Sequence, residues 1–175
     1  SISSIKDEHN RLIGFLKVSE DITELKQTIE ELETEKKLMN TVIETVPTGI
    51  TIVDSNGKLS FANQNARAIL GISEKEVNER TYNDPKFKIT SIDGKRIPDE
   101  ELPFNRIKKS KKTLYNYEHA IEWPNGERKI LNISGSPRFD DKKKFIGVVF
   151  SLVDVTAIRE MESELDKGSV FFFDQ

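Results

Sequence analysis

Three kinds of spacing divide the hydrophobic positions of this chain. Ser1 to Thr23 holds two short strand-like segments joined by the polar turn Asp7 to Arg11, the second being Leu12 to Val18 with its apolar residues clustered. Two strands cannot bury a core alone, so this piece is the tail of an upstream domain or lies against the next one. From Ile22 the spacing is helical: Ile22, Leu25, Ile29, Leu32, Met39, Ile43 and Val46 recur at alternating steps of three and four, with Lys36 in the one missing place. Read as a heptad, Ile22, Ile29, Lys36 and Ile43 take the a positions and Leu25, Leu32, Met39 and Val46 the d positions, which favours a parallel two-stranded coil. Lys36 lowers stability there but disfavours larger oligomers and wrong registers, because its ammonium must reach water past the partner helix. The same stripe also suits a helix packed on its own domain, and both arrangements can hold for different halves.

Pro47 and Gly49 stop that helix. Beyond them Ile50 to Asp54 and Lys58 to Asn63 read as strands around Ser55-Asn56-Gly57, whose Asn-Gly pair supplies the positive φ of a tight hairpin. Asn63 to Leu70 reads as a short helix with Ala66, Ile69 and Leu70 inward and Gly71 as C-terminal cap. Ser73 to Val77 is a further helical turn with the capping-box spacing of Ser73 and Glu76. Asn78 to Pro98, interrupted by Pro85 and Gly94, reads as loop. Asp99 to Ser110 follows as a helix, acidic at its start and basic at Lys108-Lys109. Three long strands close the pattern: Thr113 to Trp123, Glu127 to Pro137 and Lys144 to Val153, with hairpin signals at Pro124-Asn125-Gly126 and Asp140 to Lys143. The order β β α α α β β β predicts an α+β fold, an antiparallel sheet with helices on one face, preceded by the long helix.

Part of the chain occurs twice. Arg11 to Leu32, RLIGFLKVSEDITELKQTIEEL, aligns without a gap on Lys144 to Leu165, KFIGVVFSLVDVTAIREMESEL, 133 positions on. Gly14 falls on Gly147, Asp21 on Asp154, Thr23 on Thr156 and Leu32 on Leu165. A strand-to-helix junction repeated at domain spacing predicts tandem domains. The expected division is 1–23 as the closing strands of a preceding domain, 24–46 as a linker helix, 47–156 as one whole domain and 157–166 as the start of an outgoing helix. Residues 167–175, apolar from Val170 to Phe173, stay unassigned. The chain opens inside a strand pattern and is expected to be a fragment of a longer protein.

Composition narrows the chemistry. A chain of 175 residues suits one compact domain with flanking segments. The net charge of -3, from 27 basic and 30 acidic residues, gives no broad attraction to nucleic acid or anionic lipid. No apolar run nears the roughly 20 residues that span a bilayer, so direct membrane contact is not expected. The lack of Cys removes disulfides, thiolate catalysis, iron-sulfur ligation and Cys-type zinc sites, and agrees with a reducing, cytoplasmic setting. With no phosphate-binding Gly-rich loop, HExxH or supportable catalytic triad, the chain is not expected to be an enzyme.

The segment VPTGITIVDSNGKLSFANQNARAILG, the hairpin SGSPRFDDKKKFIGVVF and the terminal Asp-Val-Thr together resemble a PAS sensor domain over Thr41 to Leu165. The resemblance implies a five-stranded antiparallel sheet in the order 2-1-5-4-3, helices over its concave face and a helical linker at either end. It implies that Asn63 is the Asn following the second strand and that Asp154 and Thr156 form the pair at the strand-to-helix exit, repeated at Asp21 and Thr23. PAS domains occur in series and often upstream of a histidine kinase, so the parent is expected to be a multi-PAS two-component sensor, although nothing here resembles a phosphoacceptor helix or an ATP-binding domain. The exit pair also has a plain physical reading. A short oxygen-bearing side chain at a helix start accepts hydrogen bonds from orphan N–H groups, joining the last strand mechanically to the helix. Simple capping without signalling is the alternative.

Candidate pocket walls are Phe104, Tyr115, Tyr117, His119, Asn132 and Phe150. Alternation puts His119 on one face with Tyr115, Tyr117, Ile121 and Trp123, where it would serve haem or an anionic ligand, or be a hydrogen-bonded sheet histidine. Aromatics at such spacing also suit a core. The resemblance implies that an axial haem His comes from the preceding helix, where Asp99 to Ser110 has none, and that covalent flavin photochemistry needs a Cys that is absent. The cofactor is left unassigned, and with His9 in a turn no metal site is expected. Two functions remain. One is a non-catalytic sensory module that forms a homodimer through Ile22, Leu25, Ile29, Leu32, Met39 and Ile43 and relays ligand or partner state through helical linkers to an output domain. The other is a receptor domain holding haem, flavin or a small metabolite.

Overall fold

The computed structural model describes residues 2–17 and 21–170, which fall in two units, Ser1–Thr41 and Val42–Gln175. Val18 and residues 171–175, about which the sequence raised expectations, lie outside the described residues.

In the first unit β1 (Ile2–Lys6) and β2 (Leu12–Lys17) pair antiparallel. Asp7 builds their turn: its carboxylate accepts the backbone N–H of His9 at 2.9 Å and of Arg11 at 2.8 Å. Then α1 (Thr23–Thr45) begins where the Asp21 carboxylate accepts the Thr23 N–H at 3.0 Å. No residue of α1 is buried, and the seam residues Leu25, Ile29, Leu32 and Met39, with Ile22 just before the helix, are all exposed.

The second unit runs β3 (Gly49–Asp54), β4 (Leu59–Ala62), α2 (Gln64–Leu70), a 3-10 turn at Glu74–Glu79, β5 (Lys88–Thr90), a 3-10 turn at Asp99–Glu101, α3 (Pro103–Ser110), β6 (Leu114–Glu122), β7 (Arg128–Phe139), β8 (Phe145–Asp154) and α4 (Thr156–Val170). One sheet contains six of the strands in the order β4-β3-β8-β7-β6-β5, every pair antiparallel. The five expected strands keep their expected order. The addition is β5, inside the stretch read as loop: three residues give no periodic signal, and it is a strand because β6 offers it a free edge.

The helix expected over Asp99 to Ser110 is two pieces. Leu102 between them is extended (φ -63°, ψ 145°), because the ring of Pro103 disfavours helical geometry in the residue before it. Pro103 itself opens α3, where its missing N–H needs no partner. Alternation along β3, β7 and β8 turns Val53, Leu131, Ile133, Val148, Phe150 and Leu152 to the helix-covered face, where they form the core with Ala66, Leu70, Phe104 and Ile107. The outgoing helix extends past the expected 166 to Val170.

The 133-residue repeat extends to register. In β1–β2 the pairs run from Ile2↔Lys17 to Lys6↔Leu12 with an irregularity between Ile5 and Lys6; in β7–β8 the same offsets run from Gly135↔Phe150 to Phe139↔Phe145, irregular between Arg138 and Phe139. Asp140 holds its turn as Asp7 does, accepting the N–H of Lys142 at 2.9 Å and of Lys144 at 2.8 Å. Their surroundings differ. A Cβ on Gly147, at φ 148°, would lie 2.1 Å from the Val53 carbonyl oxygen of neighbouring β3, whereas a Cβ on Gly14 meets nothing within 4 Å among the described residues. Val148 is fully buried; Phe15, at the matching place, is 68% exposed.

Candidate functional site

Between the covered face of the sheet and the segments over it lies a cavity of about 70 Å³. Thr51 and Val53 of β3, His119 and Ile121 of β6, Ile133 of β7 and Phe150 and Leu152 of β8 form its floor, and Leu70, Tyr82, Phe87, Leu102, Pro103 and Phe104 contribute to the roof. The break at Leu102 lets both Leu102 and Phe104 turn inward, at 5% and 2% exposure. Tyr82 stacks on Phe104 with ring centroids 4.5 Å apart, and its hydroxyl donates to Asp99 at 3.1 Å and accepts from Asn105 Nδ2 at 2.8 Å. Burial, with the Asp99 carboxylate behind it, pushes the Tyr82 phenol up to about 12, so it stays neutral. Among the described residues no charged side chain lines the cavity.

His119 is 5% exposed, and its Nδ1 lies 3.3 Å from the Ala120 carbonyl oxygen. That contact favours the tautomer with hydrogen on Nδ1, and among the described residues no hydrogen bond reaches Nε2. Burial lowers the ring to about 4, so it is neutral at pH 7. The arrangement speaks against a service to anionic ligands, one of the roles the sequence left open: the ring brings no charge at pH 7 and, among the described residues, no cation lines the cavity. Haem and flavin do not fit either, since about 70 Å³ is less than half of the roughly 150 Å³ that admits benzene.

Of the six expected walls, Phe104, His119 and Phe150 line the cavity. Tyr117 does not; it is half-buried beside His119, ring centroids 6.1 Å apart, with the Arg106 guanidinium 5.6 Å from its ring centroid. Tyr115 is on the wrong face. An irregularity between Leu114 and Tyr117, with Asn116 at φ 51°, shifts the alternation, leaving Tyr115 72% exposed on a shallow groove with Ser134, Ser136 and Ser151. Asn132 also faces away, alternating with inward Leu131 and Ile133, and its Nδ2 donates to Glu118 at 3.2 Å.

Asn132 leads to the exit. At the end of β8 the Asp154 carboxylate accepts the Thr156 N–H at 3.1 Å and its hydroxyl at 2.6 Å, while the same hydroxyl oxygen accepts the Ile130 N–H of β7 at 2.9 Å. Val155 N–H donates to the Ile130 carbonyl at 2.9 Å, so the ladder to β7 continues as far as the residue before α4. Farther on, Arg159 of α4 forms a bidentate pair with Glu118 of β6, 3.0 Å through Nε and 2.6 Å through the other nitrogen. Arg159 is the main cause holding the Glu118 carboxyl below its usual range. Sequence reading missed this pair, because 41 positions separate the two and no local spacing marks them. Glu118 directly precedes His119, and the two point to opposite faces.

The entry side is organised by Asn63, which is wholly buried. Its Oδ1 accepts the N–H of Ile50 at 2.8 Å and of Ala66 at 2.9 Å; its Nδ2 donates to the carbonyls of Ile43 at 2.7 Å and Thr48 at 3.0 Å. One side chain thereby links the last turn of α1, β3 and the start of α2.

The PAS fold, as a family description, matches residues 37–155, and the chain belongs to that family. PAS domains are sensory modules, generally non-catalytic. Among solved structures, the PAS domain of an HTR-like protein from Haloarcula marismortui is 17% identical over 74% of this chain and 98% of its own, with a TM-score of 0.56. The PAS domain of nitrogen regulation protein NR(II) from Vibrio parahaemolyticus is 13% identical, covering 67% and 97%, TM-score 0.52. A PAS domain from a two-component sensor histidine kinase is 13% identical, covering 70% and 97%, TM-score 0.53. Such identities speak for the fold alone. No curated protein matches the chain. Among the described residues no cluster of His, Asp or Glu is placed to hold a metal ion, and no helix is long and apolar enough to cross a membrane.

Proposed function

We propose that this chain is a non-catalytic relay within a multi-PAS signalling protein, taking up the state of its cavity or of a partner and passing it through α4 to an output domain. The attachment of α4 carries the reading. Thr156 is bonded to β7, and Arg159 to a β6 residue whose neighbour, His119, lines the cavity, so a shift of β6 pulls directly on the outgoing helix. The shared register of β1–β2 and β7–β8, followed in both cases by an Asp and a Thr at a helix start, supports an upstream PAS-type domain ending at Thr23. Relays of this kind in series would hand on the same motion. Exposed Ile22, Leu25, Ile29, Leu32 and Met39, with half-buried Ile43, support a parallel homodimer through α1. The likeness in fold to a PAS domain from a two-component sensor histidine kinase supports a cytoplasmic histidine kinase as the output.

Hydrogen exchange tests the attachment. Arg159→Ala should raise exchange in the first two turns of α4 severalfold, a modest effect because Arg159 is 39% exposed. The exchanged pair Glu118→Arg with Arg159→Glu should restore protection. Unchanged exchange in Arg159→Ala removes the ion pair from the relay. Sedimentation of wild type against Leu32→Glu tests the dimer, and two monomers at tens of micromolar would reject it.

A further inference from the structure

The cavity sets a few polar groups among apolar walls: the hydroxyls of Thr51 and Thr81 and the buried, neutral imidazole of His119, whose Nε2 has no protein partner among the described residues. We infer that it takes a small neutral molecule of about three to five non-hydrogen atoms carrying one hydroxyl or N–H, which donates to His119 Nε2. The inference rests on the relay reading only in making this molecule a signal.

Size sets the first limit. A cavity of about 70 Å³ is smaller than a benzene site, so a short-chain alcohol fits where a nucleotide, sugar or tetrapyrrole does not. Charge sets the second. Among the described residues no Lys or Arg lines the cavity, and a carboxylate moved there would lose its hydration with no opposite charge in return. Direction of hydrogen bonding sets the third. The Ala120 carbonyl oxygen beside Nδ1 leaves Nε2 as an acceptor, so a ligand that only accepts, such as a ketone, finds no donor on the ring. The Tyr82 hydroxyl is already taken up by Asp99 and Asn105, which leaves the Thr51 and Thr81 hydroxyls as the other polar groups of the wall, secondary to the ring in fixing a ligand hydroxyl or N–H.

Titration of the whole chain with 1-propanol, propionate and xenon separates these limits. In wild type, 1-propanol should give saturable amide shifts at Ile121 and Leu152 together with a shift of the His119 Nε2 resonance, while propionate at pH 7 should give neither. Xenon, which needs only apolar space, should enter both wild type and His119→Phe, whereas the variant should bind 1-propanol about fivefold more weakly, the worth of one neutral hydrogen bond. Propionate binding as tightly as propanol, propanol binding without movement of the Nε2 resonance, or no propanol binding at all would each overturn the inference. The Nε2 shift is read in wild type, so the test does not depend on the variant folding. A failure here with the Arg159→Ala effect intact leaves the relay standing; the reverse result leaves a selective cavity without a relay.

Discussion

Replacing Asn63 with alanine removes four hydrogen bonds from one fully buried position. The cost follows from what is left behind. The N–H groups of Ile50 and Ala66 lose their acceptor, and Ala66 has no exposure through which water could replace it. Each stranded group costs about 1 to 3 kcal/mol. The carbonyls of Ile43 and Thr48 belong to half-buried residues and can be partly hydrated, which adds a smaller amount. The sum is about 3 to 5 kcal/mol, a large part of the roughly 5 to 15 kcal/mol that holds a domain of this size together. Urea unfolding followed by the fluorescence of Trp123, the sole tryptophan, reads the loss directly. Asn63→Asp provides the finer control. It keeps both acceptor bonds but turns an oxygen toward the two carbonyls, so its carboxyl should titrate above the ordinary range, with the defect growing as pH rises above about 4 and shrinking in acid. A loss below about 1 kcal/mol in Asn63→Ala would refute the view that this side chain holds the entry side together.

Two further predictions use contrasts built into the chain. Gly147→Ala should unfold the second unit or lower its stability by several kcal/mol, because the methyl would meet the Val53 carbonyl at 2.1 Å, while Gly14→Ala should change the melting of this chain by less than about 0.5 kcal/mol; equal effects would contradict the difference in their surroundings. His119 is held near 4 in the fold against 6.5 when free, so the unfolded chain takes up its proton first as pH falls; stability contributed by the neutral ring is intact above pH 6.5 and is lost toward pH 4, to about 3 kcal/mol. Urea midpoints of wild type and His119→Phe between pH 7 and 4 should therefore converge or cross by that amount, and parallel curves would show that the ring is not buried neutral.

Much of the architecture is legible along the chain because it is local. The Asp-led turns, the C-terminal cap of α2 at Gly71, and the repeated junctions at Asp21 and Asp154 all depend on contacts within a few residues, and they stand where their spacing puts them. Long strands with clean alternation likewise reveal their faces, as His119, Phe150 and Val148 show. The site is less legible. One irregularity near Asn116 reverses the face of Tyr115, and the choice of Asn132 as a wall failed because its strand neighbours, not its own chemistry, decide which way it points.

The sequence by itself determined the order of the five longer strands, the heptad stripe, the tandem repeat and the kinship these imply, since each is a matter of periodicity or short spacing. Only the tertiary structure decided that Glu118 meets Arg159, that β5 finds an edge, and that His119 is neutral in a cavity without charge. Those outcomes depend on which distant segments exclude water from one another, and no window along the chain contains that information.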